Sequence, residues 1–390
     1  MRVLLAFDKF KDSLTAPAAC RRAAEALRRA HPDWELDECP LADGGEGFGA
    51  ILTHAVGGEF VPATVCGPRQ APTPAGFGLA SLERIPTGVR QMLQLGSPVP
   101  QPDDAWVAVI EMASASGLAL LPSDARDPWQ TTTFGTGELL RLAAARGVAA
   151  IVLGVGGSAT NDLGLGALAA LGYDFLSRGG TAVVPPIPAR WQEINRIAGR
   201  LAPALPPIRI ACDVTNPLLG SNGAAAIYGP QKGLRPADLA RLDHDCARLA
   251  LMLCAHCRQP DSLMDVPGTG AAGGIPFGLM AAAGAKLLPG FDLVGAWLDL
   301  ERRLAAADLV ITGEGRFDDS SLQGKGPGAV AARALALGKR VHVFAGRAAA
   351  RHPPANLAVH SITPEGLALE QALRDAPQLL AAAVQAAFRD

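Results

Sequence analysis

The chain has 390 residues, long enough for two domains with sizeable buried cores. Hydrophobic residues make up 49% of it but aromatics only 5%, so the cores must be built mainly from Ala, Leu and Val. A formal net charge of -2 with scattered basic residues excludes a polybasic face for nucleic acid or membrane, and no apolar run reaches the ~18 residues of a membrane span.

Residues 3–7 read as a strand that is apolar throughout, as expected when both faces of a sheet are covered. They meet Asp8 and Lys9 at once, which argues against a signal peptide. A loop over 8–13 leads to a helix at about 17–30, with Thr15 as its cap. A second strand spans 35–41, and the turn Asp43-Gly44-Gly45-Glu46-Gly47 opens a helix at about 48–56. This βαβα order puts acidic residues just past the carboxyl ends of strands, where open α/β sheets bind ligands.

The middle is less regular. Prolines crowd residues 62–102, which suggests edge strands and surface loops. Strands are expected at 107–112, 149–154 and 208–211, and an amphipathic helix at 236–258. That helix carries His244, Cys246, Cys254, His256 and Cys257, read as helix-core cysteines and exposed histidines. The seven cysteines follow no framework spacing, which suits a reducing compartment, and a soluble cytoplasmic protein is expected. The regular grammar returns at the end. A helix at 293–307 precedes a strand at 309–312 and a polar loop at 313–325; then come a helix at 327–337, a strand at 340–345 and two closing helices.

Several segments carry chemistry-bearing residues. The run Gly154-Val155-Gly156-Gly157-Ser158-Ala159 matches G-x-G-x-x-A directly after a strand, as in a dinucleotide fold. Asn161, Asp162 and Gly164 are loop and cap formers, so the helix should start later, near residue 163. The segment then reads as a wide anion-binding loop before a helix N-terminus, with a plain βα turn as the alternative. In the loop 313–325, Glu314, Asp318 and Asp319 cluster with Arg316 and Lys325, a set suited to Mg²⁺ and phosphate charge. Lys9 and Lys11 follow a buried strand and suit an anionic substrate. Asp213 ends the strand 208–211, and Lys232 lies on a tight turn, poised for an anion or merely solvated. The ordinary P-loop, G-x-x-x-x-G-K-[ST], does not occur.

Read in order, the motifs resemble one family. Asp8-Lys9-Phe10-Lys11-Asp12-Ser13-Leu14 is similar to D-S-[FY]-K-[DE]-S-[LM]. Ala42 to Gly47 resembles A-D-G-G-E-G, and Glu111 to Leu118, which includes Ser116, resembles E-M-A-x-A-S-G-L. Thr132 to Leu139 resembles T-[ST]-x-G-T-G-E-L. Gly154 to Gly164 resembles G-x-G-G-S-A-T-N-D-x-G, and Cys212 to Leu218 resembles C-D-V-x-N-P-L. Tyr228 to Gly233 resembles [FY]-G-P-Q-K-G, and Thr312 to Asp318 with Gly324-Lys325 resembles T-G-E-G-x-[FI]-D followed by G-K. These marks, spread over about residues 1–345, resemble the bacterial type I glycerate kinases, the glycerate 2-kinase family. Three departures stand out. Lys9 replaces the usual Ser, residues about 81–104 are expanded, and Ala345-Gly346-Arg347 stands where A-G-S is usual.

The resemblance implies an α/β fold in two parts. A flavodoxin-like parallel-sheet domain would be formed by both chain ends, 1–60 and 286–390, with a second mixed α/β domain, 61–285, inserted. It also implies an active site in the cleft between the domains. There ATP with Mg²⁺ would phosphorylate D-glycerate, at the 2-hydroxyl to give 2-phosphoglycerate, with the 3-hydroxyl or another small hydroxy acid as alternatives. The expected catalytic residues are Asp213, Lys11, Lys232, Glu314 and Lys325, with Asp213 the first choice of base. Asp8, Lys9, Asp43, Glu46, Ser116 and Arg316 are expected to bind substrate. Gly156, Gly157, Ser158, Thr160, Asn161 and Asp162 are expected to bind nucleotide, and Asp213, Glu314 and Asp318 to bind metal. No nucleic-acid or membrane partner is expected, and a homo-oligomer is left open. A nucleotide-cofactor oxidoreductase and a non-catalytic ligand sensor are the remote alternatives.

Overall fold

The structure, a computed structural model, describes residues 1–95, 105–202, 205–317, 321, 326–348 and 355–389. Asp318, Asp319 and Lys325 lie outside them, as do residues 96–104 of the expansion expected near 81–104. In chain order the strands are β1 (Arg2–Phe7), β2 (Glu35–Glu38), β3 (Glu59–Cys66), β4 (Pro72–Ser81), β5 (Trp106–Glu111), β6 (Ala150–Gly154) and β7 (Tyr173–Leu176). They continue with β8 (Arg196–Gly199), β9 (Ile208–Ala211), β10 (Lys286–Leu288), β11 (Leu309–Phe317), β12 (Arg340–Ala348) and β13 (Leu357–Ser361).

The chain divides into two compact units. A terminal unit comprises Met1–Asp43 with Val294–Asp390, and a central unit comprises Gly44–Leu293. The terminal unit is built on one five-stranded sheet in the order β13-β12-β11-β1-β2, with every pairing parallel. Numbered within the unit this is the order 2-1-3-4-5 of a flavodoxin-like sheet. Parallel strands need covered faces, and β1 is buried from Val3 to Phe7. On one face the helix Ala16–Ala30 brings Ala19, Ala23, Ala24 and Leu27 into a cluster with Leu5, Ile311, Phe344 and Leu380. The alanines let the helix lie close to the sheet. The helix Gly326–Ala336 packs against β11 and β12.

The central unit has a six-stranded mixed sheet, β10-β9-β6-β5-β4-β3. Its four parallel strands are flanked by the antiparallel pair β3 and β4, and β7 and β8 form a separate hairpin. Pro62, on the edge strand β3, and Pro72 and Pro74, on β4, agree with the edge character expected of the proline-rich stretch. The core joins Ile110, Leu139, Ile151, Leu153, Leu168, Ile210, Leu249 and Phe277.

The sheet boundaries correct several sequence expectations. The division falls at 43/44 and 293/294, not at 60/61 and 285/286. The reason is that the helix Phe48–Ala55 packs on β4 and β5, and the Glu111 carboxylate at the end of β5 accepts from Gly47 N (3.0 Å) and Gly49 N (3.2 Å). β11 does not stop at residue 312; it runs to Phe317, because β12 stays paired with it as far as Phe317↔Ala348. The expected helix 293–307 is two helices, Gly290–Trp297 and Leu300–Ala306, separated at Asp299, whose φ is 53°.

Gly313 is the tightest point of the terminal sheet. A Cβ there would lie 1.9 Å from the Phe344 carbonyl oxygen, a backbone atom that cannot swing away. Gly313→Ala is therefore expected to lower the unfolding free energy by ~3 kcal/mol or more, the upper range for overpacking, and the thermal midpoint with it. Gly88→Ala, in the helix Thr87–Met92 with open space around it, is expected to gain up to ~1 kcal/mol from helix propensity. Equal midpoints for the two variants in thermal denaturation would remove close packing as the reason for Gly313.

Candidate functional site

In the 2-1-3-4-5 order the strand sequence reverses between β1 and β11, and a crevice opens beyond their carboxyl ends. The terminal unit has a pocket there of about 1230 Å³, lined by Asp8, Lys9, Lys11, Asp43, Glu314, Arg316 and Arg347 among others. Asp8 follows β1 directly, and its N–H donates to Gly313 O (3.0 Å), which fixes it beside β11. Its side chain is only 8% exposed. Burial, reinforced by the Asp43 charge and opposed by Lys9, pushes its pKa up to about 6. Lys9 N–H donates to Asp8 Oδ1 (2.7 Å), and Lys9 Nζ pairs with Asp43 Oδ1 (3.3 Å). The intervening turn is closed by reciprocal backbone bonds between Phe10 and Leu14, with Asp12 at φ 63°. Thr15 is the helix cap, accepting from Ala18 N (3.4 Å).

Glu314 and Arg316 lie on β11, two residues apart and so on one face of the strand. The pocket thus gathers Asp8, Lys9, Lys11, Asp43, Glu314 and Arg316 from the expected set. It also gathers Arg347 and a wall over residues 361–376, neither of which was among the expected site residues. For Arg347 the signal was present in the sequence, as the departure from A-G-S. For the wall there was none, because part of it read only as the first of the closing helices.

The remaining expected residues belong to the central unit, around the loop that follows β6. The helix after it, Leu165–Ala170, begins only after Gly164, unlike the dinucleotide motif, where it begins inside the glycine run. Asp162 holds this start. Its carboxylate accepts from Gly164 N (3.2 Å) and Gly166 N (3.2 Å), and from Thr133 N (2.8 Å) and Thr133 Oγ1 (2.9 Å). Burial raises its pKa and these four donors oppose the rise. Its side chain is therefore a clasp between two segments. Among the described residues, the N–H groups of Gly157, Ser158, Thr160, Asn161 and Asp162 have no protein acceptor; Gly157 is exposed and the other four residues are buried. Thr160 Oγ1 and Asn161 Oδ1 are likewise buried without a partner. Gly157 takes φ 71°, and a Cβ placed on it would lie 3.7 Å from Glu46 Oε1, so Glu46 flanks this loop instead of the terminal pocket.

Two expectations are corrected here. Lys232 is neither solvated nor poised to swing, being 1% exposed. Its Nζ donates to Ser158 Oγ (3.0 Å) and Thr160 O (2.6 Å), so it anchors the loop from within. Burial lowers its pKa to about 7, against the nearby Asp162 charge. Ser116 is fully buried, with its hydroxyl 2.8 Å from Thr136 Oγ1 and its carbonyl accepting from Ala159 N (2.9 Å). It braces the loop and presents no group to a substrate.

Asp213, half-buried after β9, accepts from Phe291 N with both carboxylate oxygens (3.1 and 3.0 Å) and so fixes the start of the helix Gly290–Trp297. Asp213 and Glu314 belong to different units. Among the described residues no three His, Cys, Asp or Glu converge as a metal-binding set. Cys246 and Cys254 are core residues, and His256 Nε2 lies 3.0 Å from Gly199 O. No helix among the described residues is long and apolar enough to cross a membrane.

Comparison with known proteins agrees over almost the whole chain. The family model described as "Glycerate kinase family" matches residues 3–390. A glycerate kinase of Halalkalibacterium halodurans is 36% identical over 385 residues, covering 97% of this chain and 95% of that protein. The glycerate 2-kinase of Escherichia coli K12 is 37% identical over 355 residues, covering 89% and 85%. A crystal structure from Salmonella typhimurium LT2, whose description names glycerate kinase 2, superposes with a TM-score of 0.75 at 37% identity, covering 99% of this chain and 97% of that one. With its parallel terminal sheet, its mixed central sheet and a match from residue 3 to residue 390, the chain belongs to the glycerate kinase family.

Proposed function

We propose that the protein is an ATP-dependent kinase that phosphorylates D-glycerate at the 2-hydroxyl, giving 2-phosphoglycerate in the cytoplasm. The observation that carries the reading is Asp8. It is a buried carboxylate with a raised pKa, at the switch point of a flavodoxin-like sheet, in a pocket that also holds lysines and arginines.

A base must be deprotonated near neutral pH yet able to hold a proton, and Asp8 meets this better than Asp213, whose carboxylate is engaged by Phe291 N. Asp8 would accept the proton of the glycerate hydroxyl. The freed oxygen attacks the γ-phosphorus, the bond from that phosphorus to the β–γ bridging oxygen breaks, and ADP leaves with the electron pair. Lys11 and Arg316 would hold the glycerate carboxylate, and Lys9 keeps Asp43 neutralised. The loop over residues 157–162, with the exposed Gly157 at its tip, is proposed as the cradle for nucleotide phosphates, with Lys232 and Asp162 as the braces that keep it in shape.

The oxygen donors of the pocket suit Mg²⁺, which needs only one or two carboxylates beside phosphate oxygens and water. Glu314, with Asp318 and Lys325 beyond the described residues, is proposed for that part of the site. When bound, the ion would neutralise phosphate charge.

The direct test is ADP release from Mg-ATP with D-glycerate, L-glycerate or no acceptor, with the product identified by ³¹P NMR. ADP formed only with D-glycerate and a secondary phosphate ester are expected. A primary ester would move the acceptor to the 3-hydroxyl, and no glycerate-dependent ADP would remove the reading.

Asp8→Asn is expected to lower kcat by ~10²–10⁴-fold, with kcat/KM of the wild type falling as pH drops below about 6. The same variant should be more stable. A folded pKa of about 6 against an ordinary 3.8 means that the wild type loses stability as pH rises through that window. At pH 7.5 the Asn variant should gain roughly 1–3 kcal/mol, and at pH 3.5 nothing. Wild-type turnover in Asp8→Asn would return the base to Asp213.

Lys232 has the opposite sense. With its folded pKa depressed to about 7 from 10.5, its cost to stability is full below pH 7 and is relieved as pH rises toward 10.5. The stability of wild type relative to Lys232→Met should therefore increase from pH 7 upward. A difference that is independent of pH would mean that the ammonium is not desolvated.

A further inference from the structure

β11 and β12 outrun β1. The pairing of β1 with β11 ends at Phe7↔Gly313, whereas β11 and β12 stay in register through Arg316↔Arg347. Register partners on adjacent parallel strands project to the same face, with backbones about 4.8 Å apart. Arg316 and Arg347 are therefore two guanidinium-bearing residues side by side, and both line the pocket. Like charges directly opposite each other in a sheet are destabilising. The backbone of Arg347 is paired with β11, and its side chain makes no hydrogen bond or ion pair among the described residues. The pocket is not cationic as a whole: it is lined by four carboxylates, Asp8, Asp43, Glu314 and Glu365, and four cations, Lys9, Lys11, Arg316 and Arg347. Of the cations, Lys9 is paired with Asp43. On the same face the preceding register pair is Glu314↔Ala345, so the arginines stand nearer the carboxyl end of the strand pair than Glu314 does. The apolar side chains of Leu367, Leu369 and Leu373 line the same pocket, and Leu369 is 74% exposed there. An apolar wall strengthens any charge-assisted bond beside it.

We propose that Arg347, together with Arg316, forms a fork for a small oxyanion, and that Arg347 is a specificity-determining residue of this kinase. A planar guanidinium binds a carboxylate or phosphate through two parallel N–H bonds, so two of them in register fix the position and the orientation of the anion. The oxyanion is the carboxylate of the acceptor acid or the terminal phosphate of the donor. Only that naming rests on the kinase reading; the binding of an anion does not.

The test uses the full chain and two variants, Arg347→Ser and Arg347→Lys. Serine is the residue that the family pattern carries at this place, so the fold should tolerate it, and circular dichroism checks that it does. Isothermal titration with inorganic phosphate and with D-glycerate, in the absence of nucleotide, reads the anion site directly. Arg347→Ser should weaken at least one of them by about tenfold or more, the loss of one charge-assisted bond, and Arg347→Lys should weaken it less. In steady-state kinetics a rise in KM for D-glycerate with little change in kcat assigns the fork to the acceptor carboxylate. A rise in KM for ATP alone assigns it to the donor phosphate. Unchanged titrations together with both KM values within about twofold of wild type, in a folded variant, overturn the proposal. If the wild type releases no glycerate-dependent ADP but phosphate binding still depends on Arg347, the kinase reading falls and the fork stands.

Discussion

The pairing of β1 with β11 is the constraint on which the rest depends. It joins residues about three hundred positions apart, as in the bond from Thr312 Oγ1 to Ala6 O, which spans 306 residues. Once these strands are in register, the crossover order of a flavodoxin-like sheet follows, and so does the crevice beyond their carboxyl ends. Asp8 is placed by that register alone, since its N–H donates to the carbonyl of Gly313. Gly313 must in turn be glycine, because β12 passes too close for a side chain.

Both units bury a charged group at the place proposed for function, and the two are handled differently. Asp8 carries a pKa shift caused by burial and by Asp43, with only partial relief from Lys9. Lys232 is held by two oxygen acceptors of the loop and lies near Asp162, yet burial still dominates its titration. Neither arrangement is what stability alone would select. Groups held away from their ordinary protonation behaviour are where chemistry, or the shaping of a site, takes priority over stability. The braces around the central loop follow the same logic: Asp162 accepts from four donors, and Ser116 uses its hydroxyl and its carbonyl, to hold the loop in shape.

The sequence was most legible where strands are buried on both faces. β1 and β6 appear as short apolar runs bounded by turn residues, β9 as one interrupted by Arg209, and their positions agree within a residue or two. It was least legible where pairing overrides composition. The segment Gly313-Glu314-Gly315-Arg316 reads as loop, yet β12 captures it as strand, and the hairpin of β7 and β8 left no signal that was taken up. Motif reading groups residues by segment without separating the roles inside each segment. Asp162, Ser116 and Lys232 all stand in family motifs, and all three prove to be internal braces. A lysine between glycines looks solvent-exposed on paper, and only the tertiary contacts of its ammonium say otherwise. Arg347 was visible as a departure from a pattern, but its meaning required the strand register.

The discontinuous terminal unit also has a history during synthesis. Its segment 1–43 is made with β1 and its edge partner β2 complete, while the partner on the other side of β1 begins only at Leu309. At ~5–20 residues per second the wait is roughly 15–60 s, during which the whole central unit is made and can fold. For that interval β1 has only the short edge strand β2 beside it and its other edge is unpaired, which makes the nascent segment a natural client for chaperones.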